Sequence, residues 1–385
     1  MAVETDRIRI VVENKDGDII HRDLPVMQPP RIVKLLSGAS TITFPVHPKD
    51  PALKGINFKA WGTWLHAERL INGERKIIAS GILKPGAEPD PATGLTTLEA
   101  QGFSAYPKGL PWLQNWNPIS VDVGEVFERI WNHIQAQPNG NLGVQVYPTT
   151  TGAIMLPGFS FDNEELIIDF FALFIREVDE VDCGDFLEKL ARDIPIDYFE
   201  ESAWNEDKTG IVKKIHIAYP KGGVEQTDLI FRMGENVIAA KPKTEVDIQW
   251  TSDVSIKGWF PNKQYSYRLS NADPDRYRRV IKEADARINS NERAAAWARR
   301  KLARRQIPHY WEEITIDPYH PNAPFGEWDI GDTIRVEGQM PWKGHVSQDH
   351  RIIGWDLDSA SNKCVIKLMA EGAFNYDPID FPEPT

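Results

Sequence analysis

The chain has 385 residues, room for two to four domains at about 100–200 residues each. Its 41% hydrophobic and 26% charged residues are ordinary for a globular protein. The formal net charge of −12, from 56 acids and 44 bases, argues against a protein that neutralises nucleic-acid phosphates. Two cysteines, Cys183 and Cys364, cannot by themselves build a disulfide framework or a four-ligand zinc site. The N-terminal residues carry Glu4, Asp6, Arg7 and Arg9, which leaves no apolar signal core. The most apolar stretch, Leu166–Ile175, is interrupted by Asp169 and is far too short for a membrane span. The sequence therefore predicts assembly in the cytoplasm.

In chain order, the first hundred residues have the pattern of strands. Ile8, Ile10 and Val12 share one face of an extended run, and Asp16-Gly17 makes a turn. Thr41–Phe44 alternates polar and apolar residues. Asn72-Gly73 separates two apolar-rich runs, Trp61–Ile71 and Glu74–Leu83, which is a strong hairpin signal. Leu95–Phe103 is a further strand, and the Pro- and Trp-rich Pro107–Pro118 marks a boundary. Val126, Phe127, Ile130 and Ile134 recur at helical spacing and predict a helix over Val123–Gln137. Phe170–Val178 is expected as a strand, Asp182–Asp193 as a short helix, and Ile194–Glu201 and Val212–Tyr219 as strands. Val237–Tyr267 is again strand-like, with Val246, Ile248, Val254 and Ile256 alternating. Asp273–Asn289 and Asn289–Gln306 are expected as two arginine-rich helices, with Asn289 and Glu292 as a capping pair for the second. Four strands follow: Glu312–Ile316, Asp332–Val336, Val346–Leu357 and Lys363–Met369. A Pro-rich acidic tail ends the chain.

No signature of catalysis stands out. There is no phosphate loop, no G-x-S-x-G elbow and no H-E-x-x-H. His345 and His350 lie five apart, a weak metal pattern that fits a solvated loop better. The acidic pairs Glu164-Glu165, Glu200-Glu201 and Glu312-Glu313 have no fixed separation that would make an acid/base pair. The sequence thus predicts no enzyme, no cofactor and no metal. The 13 tryptophans are expected mainly in cores and interfaces, with a carbohydrate platform as the alternative use. One segment departs from the acidic whole. Between Asp273 and Gln306, eleven bases face five acids, which suits contact with an acidic neighbour. Arg276, Arg279, Arg287, Arg299, Arg300 and Arg304 are the candidate subunit or partner interface.

Taken in order, several segments resemble the tail hub, or minor tail, proteins of long-tailed phages, especially those infecting actinobacteria. They are Gly38–Val46, Ile77–Ile82, the Glu99-x-x-Gly102 step within Leu95–Tyr106, Asp182–Phe186 running on to Pro195–Glu200, the helical block Arg276–Arg304, and Trp328–Val336. Larger family members carry an appended peptidase or lysozyme-like domain, which is not expected of this chain. The resemblance implies an α+β, mainly β fold. It would have two small tube-like β-barrel domains, a mixed α/β middle region and a helical insertion. The expected divisions are residues 1–112 (first barrel), 113–209 (middle) and 210–385 (second barrel-type region, with the arginine-rich segment 273–306). It also implies a homotrimer whose barrels make a pseudo-sixfold ring at the tail tip. The distal tail protein, the tape measure protein and tip or fibre proteins would be its neighbours, and DNA would pass through its channel without specific binding. A receptor- or carbohydrate-binding tail protein is the alternative reading.

Overall fold

The computed structural model describes residues 7–86, 88–118, 121–152, 154–157, 172–173, 175–193, 196–242, 250–260, 263–284, 288, 291–308, 310–341 and 343–374. The first third holds β1 (Arg9–Asn14), β2 (Ile19–His21), β3 (Arg31–Leu35), β4 (Thr41–Val46), β5 (Thr63–Ile71), β6 (Glu74–Leu83) and β7 (Thr96–Gln101). The middle holds β8 (Val121–Asp122), α1 (Val123–Gln135), β9 (Val144–Tyr147), β10 (Ile154–Pro157), β11 (Ala172–Leu173), α2 (Cys183–Asp193), β12 (Asp197–Trp204) and β13 (Ile211–Ala218). Then come β14 (Glu225–Arg232), β15 (Val237–Pro242), β16 (Asp253–Phe260), β17 (Lys263–Ser270), β18 (Val280–Ala284) and α3 (Asn291–Gln306). The chain closes with β19 (Trp311–Ile316), β20 (Thr333–Met340), β21 (Gly344–Asp358) and β22 (Lys363–Ala370).

The protein is mainly β. One 13-stranded sheet joins the first third of the chain to the last. It consists of two runs, β2-β1-β5-β6-β7-β4-β3 and β14-β20-β21-β22-β19-β15. The 15-residue β21 belongs to both. One of its edges pairs β20 through Gly344–Arg351 and then β3 through Gly354–Asp358. The β21–β22 register shifts between Ile352 and Gly354, where this change of partner occurs. A Cβ on Gly354 would come within 3.0 Å of the Lys34 carbonyl oxygen, so the crossing backbones meet at a residue without a side chain. In each run the two end strands are consecutive in the chain, but no ladder joins β2 to β3 or β14 to β15 among the described residues. Both runs share one hydrophobic core, including Ile10, Ile32 and Phe44 from the first and Phe231, Ile314 and Trp355 from the second.

The hairpin signal at Asn72-Gly73 is realised. Both residues have positive φ, 51° and 80°, as a two-residue I′ turn between β5 and β6 requires. The α1 helix forms as the spacing predicts, with Val126, Phe127, Ile130 and Ile134 all buried. Asp122 caps it by accepting from Gly124 N at 2.8 Å, and holds the 151–152 turn through Thr151 N and Gly152 N. With α2 and the sheet β12-β13-β9, α1 encloses a second core around Trp112, Trp116 and Trp131. The Pro- and Trp-rich segment expected as a boundary is thus packed into this core.

Two expectations are corrected. Asp273–Asn289 is not a helix. Its described part is a turn followed by β18, which pairs in parallel with β16 from Val280 to Ala284. Helix-favouring Arg, Lys and Glu are outweighed there by an open strand edge that needs a partner. Phe170–Val178 is not one strand. Among its described residues Ala172–Leu173 is a short strand, Ile175 makes an isolated bridge to Trp116, and a 3-10 turn occupies Glu177–Asp179. The second arginine-rich helix is present as α3, while Val246, Ile248 and the Asn289–Glu292 capping pair lie outside the described residues or side chains.

Candidate interaction surface

The strands β15 and β19 pair antiparallel, and the chain between them makes a long excursion that folds as a lobe of its own. The lobe is a three-stranded sheet, β17-β16-β18, with α3 laid on one face. A small core of Val254, Ile256, Ile288, Ala294, Ala298 and Leu302 seals that contact. The alternation of β16 puts Val254 and Ile256 towards α3, and Ser255 and Lys257 towards the other side.

That other side carries charge in cross-strand rows. Ser255 is opposite Arg268 on one flank and Lys282 on the other. Lys257 is opposite Ser266 and Ala284, and Asp253 is opposite Ser270 and Val280. Lys257, Arg268 and Lys282 are exposed. The carboxylate of the face, Asp253, is held low by the Ser252 hydroxyl and by Arg278. It pairs with Arg268 and Arg278, each at 3.0 Å. Beside the face, Tyr277 is 96% exposed.

The five described arginines of the expected interface sit in different settings. Arg276 is exposed, pairs with Asp273 at 3.2 Å and lies 5.0 Å over the Trp250 ring. Arg279 is exposed at the side chain, while its backbone carbonyl accepts from Ser252 N and Asp253 N. Arg299 and Arg300 are half-buried on α3, and Arg300 sits close enough to Tyr219 to act on its hydroxyl. Arg304 is exposed on the last turn, and Arg287 lies outside the described residues. Sequence reasoning missed Lys257 and Arg268. Their signal was the period-2 placement of Ser255, Lys257, Ser266 and Arg268 opposite buried or half-buried neighbours.

The other candidate chemistries disperse. His345 and His350 are both on β21, not on a loop. His345 is exposed and His350 is fully buried, with its ring Nδ1 3.0 Å from the Gln348 carbonyl. Glu200 turns inward to accept from Ser40 N and Ser104 N, whereas Glu201 pairs with His216 at 2.5 Å. Glu164-Glu165 lies outside the described residues. Among the described residues no group of three His, Cys, Asp or Glu could hold a metal. No helix there is long and apolar enough to cross a membrane. Seven tryptophans are buried and Trp61, at 56% exposure, is the one exposed among those whose side chains are described.

No protein-family model and no curated protein matches the chain. Solved structures do. The 43 kDa tail protein of prophage MuSo2 from Shewanella oneidensis superposes with a TM-score of 0.61 at 15% identity, covering 97% of this chain and 100% of that one. A tail protein from Neisseria meningitidis gives 0.57 at 13% identity, covering 97% and 99%. A prophage tail protein from Listeria monocytogenes gives 0.50 at 11%, covering 94% and 95%. The chain has the fold of phage tail proteins. Three of the segments that resemble tail hubs make close contacts between elements of this fold. Gly102 is required because a Cβ there would lie 2.3 Å from the Glu200 carboxylate and 2.6 Å from Ser40 N. Gly184 lets α2 start 2.6 Å, in the same sense, from the backbone of Lys108. Asp182 caps that start through Asp185 N at 2.8 Å. In Trp328–Val336, Asp332 accepts from Val224 N, Gln226 Nε2 and Asp329 N, and Asp329 accepts from Trp355 Nε1.

Proposed function

We propose that this chain is a structural hub subunit of a phage tail tip, closing the tail tube and linking it to tip proteins around a channel for DNA. The observation that supports this most is the tail-protein fold shared along almost the whole chain with tail proteins from three bacteria. The sheet adds a second support. Two strand runs, each with consecutive end strands, meet on the shared β21, an arrangement suited to two barrel-like units per subunit. Three subunits would then present six such units to a hexameric tube, and the contacts around the ring would be heterologous. The acidic charge of −12 suits a passage that DNA leaves without sticking. The distal tail and tape measure proteins are the expected neighbours. The burial of most tryptophans weighs against a carbohydrate-binding platform, the other reading of the sequence.

The test is mass in solution together with images of the particle, alone and mixed with tail tubes. The expected result is a trimeric ring that caps one end of the tube. A monomer that neither forms a ring nor binds tubes would overturn the assignment.

A further inference from the structure

The lobe sheet has one face covered by α3 and the other open, and both its edge strands, β17 and β18, lack a further strand partner among the described residues. Lysine and arginine on such a sheet oppose indiscriminate strand pairing. They also select for a partner of opposite charge. The same chain supplies that charge on a different unit. Between Asp162 and Glu188 the sequence holds ten acids and one base, Arg176. In the described part, Glu177, Glu180, Asp185 and Glu188 are exposed. Arg176 pairs with Asp179, and Lys108 reaches Asp185 and Glu188, each at 3.4 Å. Val178 projects from this ridge at 78% exposure, as Tyr277 does beside the basic face.

We propose that the open face of β17-β16-β18 docks on the acidic ridge Glu177–Glu188 of a second copy of this chain. The proposal rests on the tail-subunit reading for the expectation that copies meet, and names the surfaces that meet. Lys257, Arg268 and Lys282 oppose Glu177, Glu180, Asp185 and Glu188, with Tyr277 and Val178 supplying apolar contact at the rim. Because the two surfaces belong to different units of the chain, the contact is head-to-tail and can close a ring. Duplex DNA is the competing polyanion. The acidity of the rest of the chain opposes it, whereas a second copy brings the ridge itself.

The experiment uses the full chain and two variants, Lys257→Glu/Lys282→Glu on the face and Glu177→Lys/Glu180→Lys on the ridge. All four positions are exposed, and circular dichroism checks that each variant folds. Association is followed by sedimentation at low salt and at about 0.5 M salt, where exposed charges are screened. The wild type is expected to associate at low salt, and each variant about tenfold or more weakly, because like charges then face each other. An equimolar mixture of the two variants is expected to associate again, since each offers the surface the other lacks. A wild type that stays monomeric, or association that neither variant weakens, overturns the proposal. Failure of the mixture to recover overturns it too. So does binding of a duplex DNA fragment that is lost in Lys257→Glu/Lys282→Glu, which makes the face a nucleic-acid site. A trimer or tube cap that forms unaltered in both variants sinks these surfaces while leaving the hub reading intact.

Discussion

Arg351 is 1% exposed, yet it carries a full charge into the region where the middle unit meets the large sheet. Its guanidinium pairs with Asp197 at the start of β12 and donates to the carbonyls of Gly331 and Gly222. Asp197 in turn accepts from Gly222 N at 2.8 Å. The ion pair therefore ties together β12, the turn after β13, the turn before β20 and β21. Taking two charges out of water is costly, and removing one partner leaves the other buried and uncompensated. Arg351→Met is expected to lower unfolding stability by about 3–5 kcal/mol. The double variant Arg351→Met/Asp197→Asn should lose distinctly less, because no orphan charge remains. Urea denaturation of the two variants beside the wild type checks this. Equal losses would mean that the residues stabilise by packing alone.

At the scale of elements, the sequence was legible where one signal dominated. The α1 helix had apolar residues at helical spacing and an aspartate at its start, and β5–β6 had an Asn-Gly turn that fits only two positive φ values. The strands β14 and β9 went unseen. Glu225–Arg232 contains only Leu229, Ile230 and Phe231 as apolar residues, and its pairing with β20 is parallel and more than a hundred positions away in sequence. The segment of β18 was misassigned because its charged residues favour a helix locally, while its partner strand is non-local. The arginine-rich stretch could be found by composition, but not the strand face of the same lobe. That face is set by the pairing of three strands whose register the sequence does not announce. The lobe's independence gives a prediction. Its core is small, and Val254 at its centre is fully buried against α3. Val254→Asp would bury an unpaired carboxyl at a cost of about 3 kcal/mol or more. Hydrogen exchange is expected to show β16–β18 and α3 losing protection while β20–β22 keep theirs. Loss of protection throughout would mean that the lobe and the large sheet unfold as one.

On the scale of the whole molecule, the hairpin β12–β13 lies against the large sheet through buried polar groups as well as apolar ones. Trp204 Nε1 donates to Glu68 at 2.8 Å. Lys213 Nζ lies 2.6 Å from Glu13, and His66 Nε2 lies 3.1 Å from the same carboxylate. The other ring nitrogen of His66 is 2.7 Å from the Ser80 hydroxyl. Burial pushes the His66 imidazole below its ordinary value, more strongly than Glu13 raises it. Burial also works to raise the Glu13 carboxyl, but His66 and Lys213 outweigh it and hold that group low. Both groups bind protons more readily in the unfolded chain than in the folded one. The stability they contribute is therefore present at neutral pH and lost as pH falls, first for His66 below its ordinary value of 6.5 and then for Glu13 below 4.5. Glu200 works in the opposite sense, because burial raises its carboxyl and the folded state takes up the proton more readily. Its effect begins above its ordinary value of 4.5, so between about pH 7 and 5 it opposes the histidine within the same window. In that window stability is expected to fall by at most about 1.4 kcal/mol per pH unit for each such histidine. His133, also lowered by burial, adds in the same direction. His66→Gln should make the decline between about pH 7 and 5 shallower, with the His133 share and the opposing Glu200 share left. Urea midpoints at half-unit steps of pH measure it, and an unchanged slope in the variant would show that His66 stays neutral in both states or charged in both.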